Sequence, residues 1–301
     1  LHAHLQGVVD LELWTIPYYM TVLYSIKDPS CTAYQLVQSA LYQEMLHAQL
    51  AANLANAFGC SPRFRAPQYG GPKVPHVDFS LDDPDPTARF SPFSTELGPL
   101  DATRINTMCL IEFPEWSTGR ATDPREDHSE YGSIGEFYDA LRIGITQLHG
   151  HLRGGVKQVS EFHRFYAKLD VSTITLDGMD ALPQAMTLID VIVDQGEGQT
   201  EGDADVPADF QNTADGYQND WPHYRKFMHI RDMRALPETW AGVSDPPSGT
   251  AGHRAQATLV TDFAAFLRTL EELFSGGDPE AFGPQMAKLG GDVLTCWKHG
   301  A

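Results

Sequence analysis

Two amphipathic segments near the start of the chain carry acids where acids are costly. Residues 2–26 place Leu5, Val8, Ile16, Tyr19 and Leu23 at three- and four-residue spacing, and Glu12 falls on the same row. Residues 31–58 do the same with Val37, Ala40, Ala51, Leu54 and Phe58, and here Glu44 and His47 share the row. Such a face packs inward, and a carboxylate buried without a partner loses several kcal/mol of solvation. The chain must therefore fold so that these acids meet a proton, an arginine or a metal ion. In Glu44-Met45-Leu46-His47 the i, i+3 spacing puts a carboxylate and an imidazole one turn apart, within reach of a common ion. E-x-x-H also arises often by chance as a surface pair, and Glu12 could equally answer an arginine.

The remaining text is helical with long interruptions. Ser30 is the expected N-cap and Gly59 the expected stop of the second helix, and Pro17 should bend the first. Residues 59–132 are rich in Pro and Gly and read as an irregular crossover, broken by the apolar run Met108-Cys109-Leu110-Ile111. A third helix is expected from Ser133 to about Leu148, extending to Lys168 if Gly154-Gly155 is tolerated. A fourth is expected from Asp180 to Asp194, stopped by Gly196 and Gly198. Helical text resumes at His223 after an acidic insertion, then at His253–Phe274 and Pro279–Leu289. With little strand text, the fold class is all-α. A four-helix bundle with one long crossover between its second and third helices is the ferritin-like arrangement. The expected organisation is a single domain over 1–301. Its bundle core lies at about 1–58 and 133–235, with a crossover at 59–132 and a C-terminal helical extension at 253–299.

Further acids lie on these helices. Ser133-Ile134-Gly135-Glu136 fits a capping box, and on local pattern Glu136 is a cap residue before it is anything else. Glu197 continues the row of Ile189 and Val193, though it also belongs to an acidic, turn-rich stretch. A second E-x-x-H would need histidine at 200, where the chain has Thr200; His223 is the nearest imidazole downstream. His149, His151, His163, His229 and His253 occupy unremarkable positions and read as surface or packing residues. Trp14, Tyr18 and Tyr19 read as core first and pocket lining second.

Charge narrows the partners. Lys and Arg number 21 against 40 Asp and Glu, a net charge of −19, which disfavours nucleic acid and anionic membrane surfaces. No apolar run reaches the roughly 20 residues of a transmembrane helix. Four cysteines (Cys31, Cys60, Cys109 and Cys296) with no CxxC pair give neither a disulfide scaffold nor a zinc ribbon, so a reducing cytoplasm is expected. The chain opens at Leu1 rather than Met, which leaves open what precedes it.

Tyr18-Tyr19-Met20, Leu23-Tyr24-Ser25-Ile26, Glu44-Met45-Leu46-His47 and Asn53-Leu54-Ala55-Asn56-Ala57-Phe58-Gly59 resemble the ferritin-like domain of the iminophenyl-pyruvate dimer synthase family, the violacein-pathway type, and its stand-alone bacterial relatives. Shorter matches are Ile111-Glu112-Phe113-Pro114, Ile134-Gly135-Glu136-Phe137-Tyr138, Gln195-Gly196-Glu197-Gly198 and His223-Tyr224-Arg225-Lys226-Phe227, so the likeness spans residues 1–235. Where the relatives often read Glu-Glu-Met, this chain has Gln43-Glu44-Met45, an amide in place of an outer acid.

The resemblance implies a dinuclear metal site. Glu12 would be the first-helix ligand, Glu44 a bridging carboxylate, His47 its imidazole and Glu136 the third-helix acid. Glu197 and His223 would form a split second E-x-x-H. Four carboxylates and two neutral imidazoles match two divalent ions in charge, which would cancel four of the net −19 charges. Carboxylate and imidazole suit two iron ions, with manganese or zinc possible. The implied activity is an O2-dependent diiron oxidoreductase, an oxidase or oxygenase acting on a small amino-acid-derived or aromatic substrate in natural-product biosynthesis. The alternatives are a metal-binding ferroxidase or storage protein, and a non-catalytic bundle acting with a partner enzyme or as a homo-oligomer. The 60–130 crossover and the 195–222 insertion are the expected lids.

Overall fold

The computed structural model describes residues 1–71, 73–81, 85–114, 131–162, 165–197, 205–213, 217–278, 280 and 282–301. Among the described residues the regular structure is helical, with isolated bridges such as Ile26–Thr239 and no strand. Eight α-helices are described: α1 (His2–Ser25), α2 (Thr32–Ala57), α3 (Ala102–Ile111), α4 (Ile134–Leu148), α5 (Gly178–Gly196), α6 (His223–Arg231), α7 (Ala251–Phe274) and α8 (Phe282–Lys298).

The long pair α1 and α2 forms the centre and is buried far beyond one stripe. In α2 nearly every side chain from Gln43 to Ala57 is inaccessible, which is the condition of a helix covered on more than one side. On one flank α5 and α6 pack on α2, α3 packs on α6, and α4 packs on α5. On the other, α7 and α8 pair with each other and close over α2 and α1. Trp297 of α8 donates its Nε1–H to the Thr21 carbonyl of α1, anchoring that cover.

The helix ends show which local signals governed. Gly59 stops α2 as expected: at φ 71° it lets Gly59 N–H reach the Asn56 carbonyl and Cys60 N–H the Ala55 carbonyl. Ser30 is not the N-cap. Its hydroxyl and N–H are taken by Asp28 in a local turn, and Cys31 holds the cap position without a side-chain bond. Pro17 sits within α1 without ending it. The apolar run at 108–111 is the last turn of α3, a helix inside the crossover, started by Asp101 accepting from Thr103 N–H and Arg104 N–H. Ser133 caps α4 through Glu136 N–H. That helix ends at Leu148, because the chain turns so that Arg153 N–H bonds the Ala57 carbonyl at the end of α2. α5 runs through Gly196 instead of stopping at Asp194, and α8 continues to Lys298 instead of Leu289. His163, Gly198 and Thr200 lie outside the described residues, as do residues 115–130 of the crossover and much of the acidic insertion.

Candidate metal centre

Six ionisable side chains from five helix segments converge between α1, α2, α5 and α6. Glu12 comes from α1, Glu44 and His47 from successive turns of α2, Glu112 from the cap position after α3, Glu197 from the cap position after α5, and His223 from the first residue of α6. None is more than 4% exposed. Glu12, Glu44, His47, Glu112 and Glu197 line one cavity of about 20 Å³. That is room for a water-sized sphere or ions.

Helix ends make the clustering costly without a cation. Glu112 and Glu197 follow the C-termini of α3 and α5, where unsatisfied carbonyls already carry negative charge. Two glycines make room for the carboxylates. A Cβ on Gly135 would collide with Glu197 Oε2, and a Cβ on Gly196 would stand 2.9 Å from Glu112 Oε2. The glycines of the Ile134-Gly135-Glu136 and Gln195-Gly196-Glu197 runs are therefore part of the site.

The hydrogen bonds fix both imidazoles in one orientation. Gln195 donates its amide N–H to the Phe210 carbonyl, which turns Oε1 toward His47 Nε2 at 2.9 Å. Lys226, a donor only, bonds Gln43 Oε1 at 2.7 Å, and the same oxygen meets His223 Nε2 at 3.0 Å. Each Nε2 faces an acceptor and must carry its proton, so each Nδ1 presents its lone pair to the carboxylates. His47 Nδ1 lies 3.6 Å from Glu12 Oε2 and 3.7 Å from Glu44 Oε1; His223 Nδ1 lies 2.8 Å from the same Glu44 oxygen and 3.4 Å from Glu112 Oε1. The rings stack with centroids 5.4 Å apart. Hydroxyls hold the carboxylates from behind: Tyr138 donates to Glu12 Oε1 at 2.5 Å, Thr15 to Glu44 Oε2 at 2.6 Å and Tyr19 to Glu112 Oε1 at 2.5 Å.

Electrostatics without metal show the same demand for positive charge. Burial would lower the His47 pKa, but Glu44 and Glu12 overcome it and push it up to about 10. Burial would likewise raise Glu44, yet His47 and His223 hold it well below the usual carboxylate range. Glu12 is raised by burial, with the charge of Glu44 adding to the effect against His47. Burial, reinforced by the adjacent carboxylates, keeps Tyr19 and Tyr138 protonated as donors. A proton on His47 here stands where a metal ion would replace it. One donor atom each of Glu44, His47 and His223 lies within 4.8 Å of the others, a spacing that a single ion can bridge.

Of the residues the sequence singles out, the structure brings Glu12, Glu44, His47, Glu197 and His223 together and sets Glu136 apart from them. That carboxylate closes the capping box, accepting from Gly132 N–H at 2.8 Å while Glu136 N–H bonds Ser133 Oγ at 3.0 Å. Glu112 joins the cluster. The missed signal was Glu112 directly after an apolar run, which is a helix delivering an acid inward. Gln43, the departure from the relatives, proves to be the partner of His223. Trp14 stacks on Tyr18 and bonds the Gln68 carbonyl as a core residue, while Tyr19 belongs to the site. His149 and His253 are partly or wholly exposed, as are His151 and His229.

A ferritin-like family profile matches residues 5–232. The chain is also similar to a crystal structure of a ferritin-like protein from Caulobacter vibrioides. The two share 55% identity over 100% of this chain and 95% of the other, with a TM-score of 0.87. No curated protein matches the chain.

Proposed function

The chain belongs to the ferritin-like family, and on that premise we propose that it is an O2-dependent dinuclear-metal oxidoreductase, with two iron ions as the native pair. The observation that carries this reading is the convergence of four carboxylates and two imidazoles, with both imidazoles held by amide oxygens so that Nδ1 faces the acids. Hard oxygen donors with imidazole favour iron or manganese, and zinc would also bind. Glu44, whose Oε1 faces both rings, would be the carboxylate shared by the two ions. Glu12 and His47 would serve one ion, Glu112 and His223 the other, and Glu197 would close the set. When bound, the metal pair supplies the electrons that reduce O2. The protein excludes bulk water, orients the carboxylates through Tyr138, Thr15 and Tyr19, and holds those phenols protonated beside the site.

The resemblance to the iminophenyl-pyruvate dimer synthase type supports a small amino-acid-derived or aromatic substrate in natural-product metabolism. A cytoplasmic setting belongs to the same reading, as do a partner enzyme or second copy. No helix among the described residues is long and apolar enough to cross a membrane.

A second reading, ferroxidase chemistry without an organic substrate, is favoured by one observation: the chamber at the carboxylates is ion-sized, about 20 Å³. Anaerobic ferrous loading followed by O2 separates the two. The oxidoreductase reading expects about two iron ions per chain before and after O2; continued uptake of many ions would assign iron storage, and near-zero occupancy would overturn both.

A further inference from the structure

The carboxylate cluster is closed to anything larger than an ion. Its chamber measures about 20 Å³, and none of its six ionisable side chains is more than 4% exposed. A reductant of ordinary size would not touch a metal held there, so electrons would have to travel through the protein. One run of side chains offers the route. Tyr19 donates its hydroxyl to Glu112 Oε1 at 2.5 Å, and the ring of Tyr18 meets it edge-on with centroids 6.3 Å apart. One turn earlier on α1, Trp14 stacks on Tyr18 at 5.0 Å, the i, i+4 spacing bringing the two rings together. Tyr69, from the crossover, lies 5.0 Å from Trp14 and 6.3 Å from Tyr18. Each step falls within the roughly 4.5–7 Å between centroids of rings in contact.

Burial falls along this run. Tyr19 is 0% exposed and Tyr18 and Trp14 are 1% exposed, while Tyr69 is half-buried between the exposed Gln68 and Gly70. Core packing would be served as well by phenylalanine, of which the chain has 15 against 11 Tyr and 5 Trp. Here every ring is one that can lose an electron. Phe227 also touches Tyr19, with centroids 5.1 Å apart, but its ring is far harder to oxidise and carries no electron onward. The hydrogen bonds then sort the four rings. Tyr18, Trp14 and Tyr69 donate to the backbone carbonyls of Ser94, Gln68 and Trp14, which accept a hydrogen bond but not a proton. Of the four, Tyr19 donates to a carboxylate, which can take the proton that a phenol sheds on oxidation.

We propose that Tyr19, Tyr18, Trp14 and Tyr69 form a one-electron conduit between the carboxylate cluster and the protein surface at Tyr69, where a small reductant of the enediol or hydroquinone class delivers its electron. An electron leaves Tyr19 for the metal pair as the phenolic proton passes to Glu112 Oε1. An electron from Tyr18 refills the ring, and the proton returns along the same hydrogen bond. The vacancy moves on to Trp14 and Tyr69, where the reductant fills it and is itself oxidised by one electron. One electron has then passed from reductant to metal pair, and the four rings are as they began. The conduit rests on the dinuclear-metal reading for its electron acceptor.

The path is tested first in the full chain without metal. Photo-oxidised tris(bipyridine)ruthenium(III) removes one electron at the surface, and the vacancy should settle on Tyr19 as a long-lived tyrosyl radical, read by electron paramagnetic resonance. Tyr19→Phe should abolish that signal. Tyr18→Phe keeps the ring and its packing but not its ease of oxidation. It should cut the radical yield at least tenfold with an unchanged near-UV circular dichroism spectrum. Tyr69→Phe, at the half-buried end, should cut it at least threefold, because Trp14 remains as a poorer point of entry. In the iron-loaded, air-oxidised chain, re-reduction by ascorbate should slow at least tenfold in Tyr18→Phe with the iron content unchanged. Indifference of either the radical yield or the re-reduction rate to Tyr18→Phe would overturn the conduit. A chain that takes up no iron yet forms a Tyr18-dependent radical would overturn the metal reading and uphold the ring-to-ring path.

Discussion

Replacing Gly135 by alanine sets two well-understood effects against each other. The residue lies in the first turn of α4, where alanine gains about 1 kcal/mol of helix propensity over glycine. The added methyl, however, would occupy space held by Glu197 Oε2. Restoring van der Waals distance moves that carboxylate by on the order of an ångström, an overpacking cost of about 1–3 kcal/mol. The metal-free protein should therefore change little, between no loss and about 2 kcal/mol. Metal binding should change more. Disturbing even an outer partner of a metal ligand lowers affinity about 10–100-fold, and here a proposed ligand itself is displaced. At a fixed metal concentration that removes at least about 1.4–2.8 kcal/mol of metal-dependent stabilisation, a rise in Tm smaller by roughly 3–11 °C. Differential scanning calorimetry with and without ferrous ion, paired with metal analysis, reads both quantities. Gly291→Ala is the control: its Cβ would meet nothing within 4 Å on the exposed side of α8, so it should gain helix stability and leave metal binding intact. If Gly135→Ala binds metal and gains Tm as the parent does, Glu197 is no ligand and the glycine cradle has no function.

Four further substitutions divide the remaining assignments. Glu112→Ala should lose one metal per chain, whereas Glu136→Ala should keep both and cost about 0.5–2 kcal/mol of stability as a lost cap; metal analysis with urea unfolding reads both. Gln195→Leu removes the acceptor that orients His47 and should lower metal affinity about 10–100-fold with the ligand set intact, seen by competition with a chelator. Asp194, raised to about 6 by burial and the neighbouring Asp190 charge against Arg142, favours the native state fully below pH 4 and loses that contribution as pH rises through 6. Asp194→Asn should then raise stability by about 1–2 kcal/mol at pH 8 and leave it unchanged at pH 4, and equal effects at both would refute the titration.

How far the sequence could be read depended on whether geometry was local. Glu12, Glu44 and His47 were legible because helical spacing alone places them on buried rows. Glu136 forms the capping box its local pattern spells, whereas the resemblance drew it toward the site. Glu112 escaped notice because α3 has only ten residues inside Pro-rich text, too short for its periodicity to stand out. Gln43, Gln195 and Lys226 could not be found from pattern, because a hydrogen bond to an imidazole on another helix leaves no periodic trace.

The second imidazole shows what the missing E-x-x-H changes physically. His47 is positioned by its own helix, three residues from Glu44. His223 has no carboxylate three residues before it, and the acids its Nδ1 faces, Glu44 and Glu112, come from α2 and the end of α3. Its position must come from tertiary contacts, and α6 has them. Lys226, one turn later, reaches Gln43 Oε1 and Ser39 Oγ of α2, and Phe227 packs edge-on against Tyr19 of α1. The same lysine that pins α6 also fixes the Gln43 amide that sets the His223 tautomer. Anchoring of the helix and orientation of the imidazole thus share one buried side chain. The half of the site built by His223 forms only when α6 docks, while the Glu44–His47 half is present as soon as α2 is helical. The two proposed metal positions should accordingly differ in affinity, with the His47 side the tighter, so stepwise removal by a chelator should show two phases, and a single phase would refute the difference.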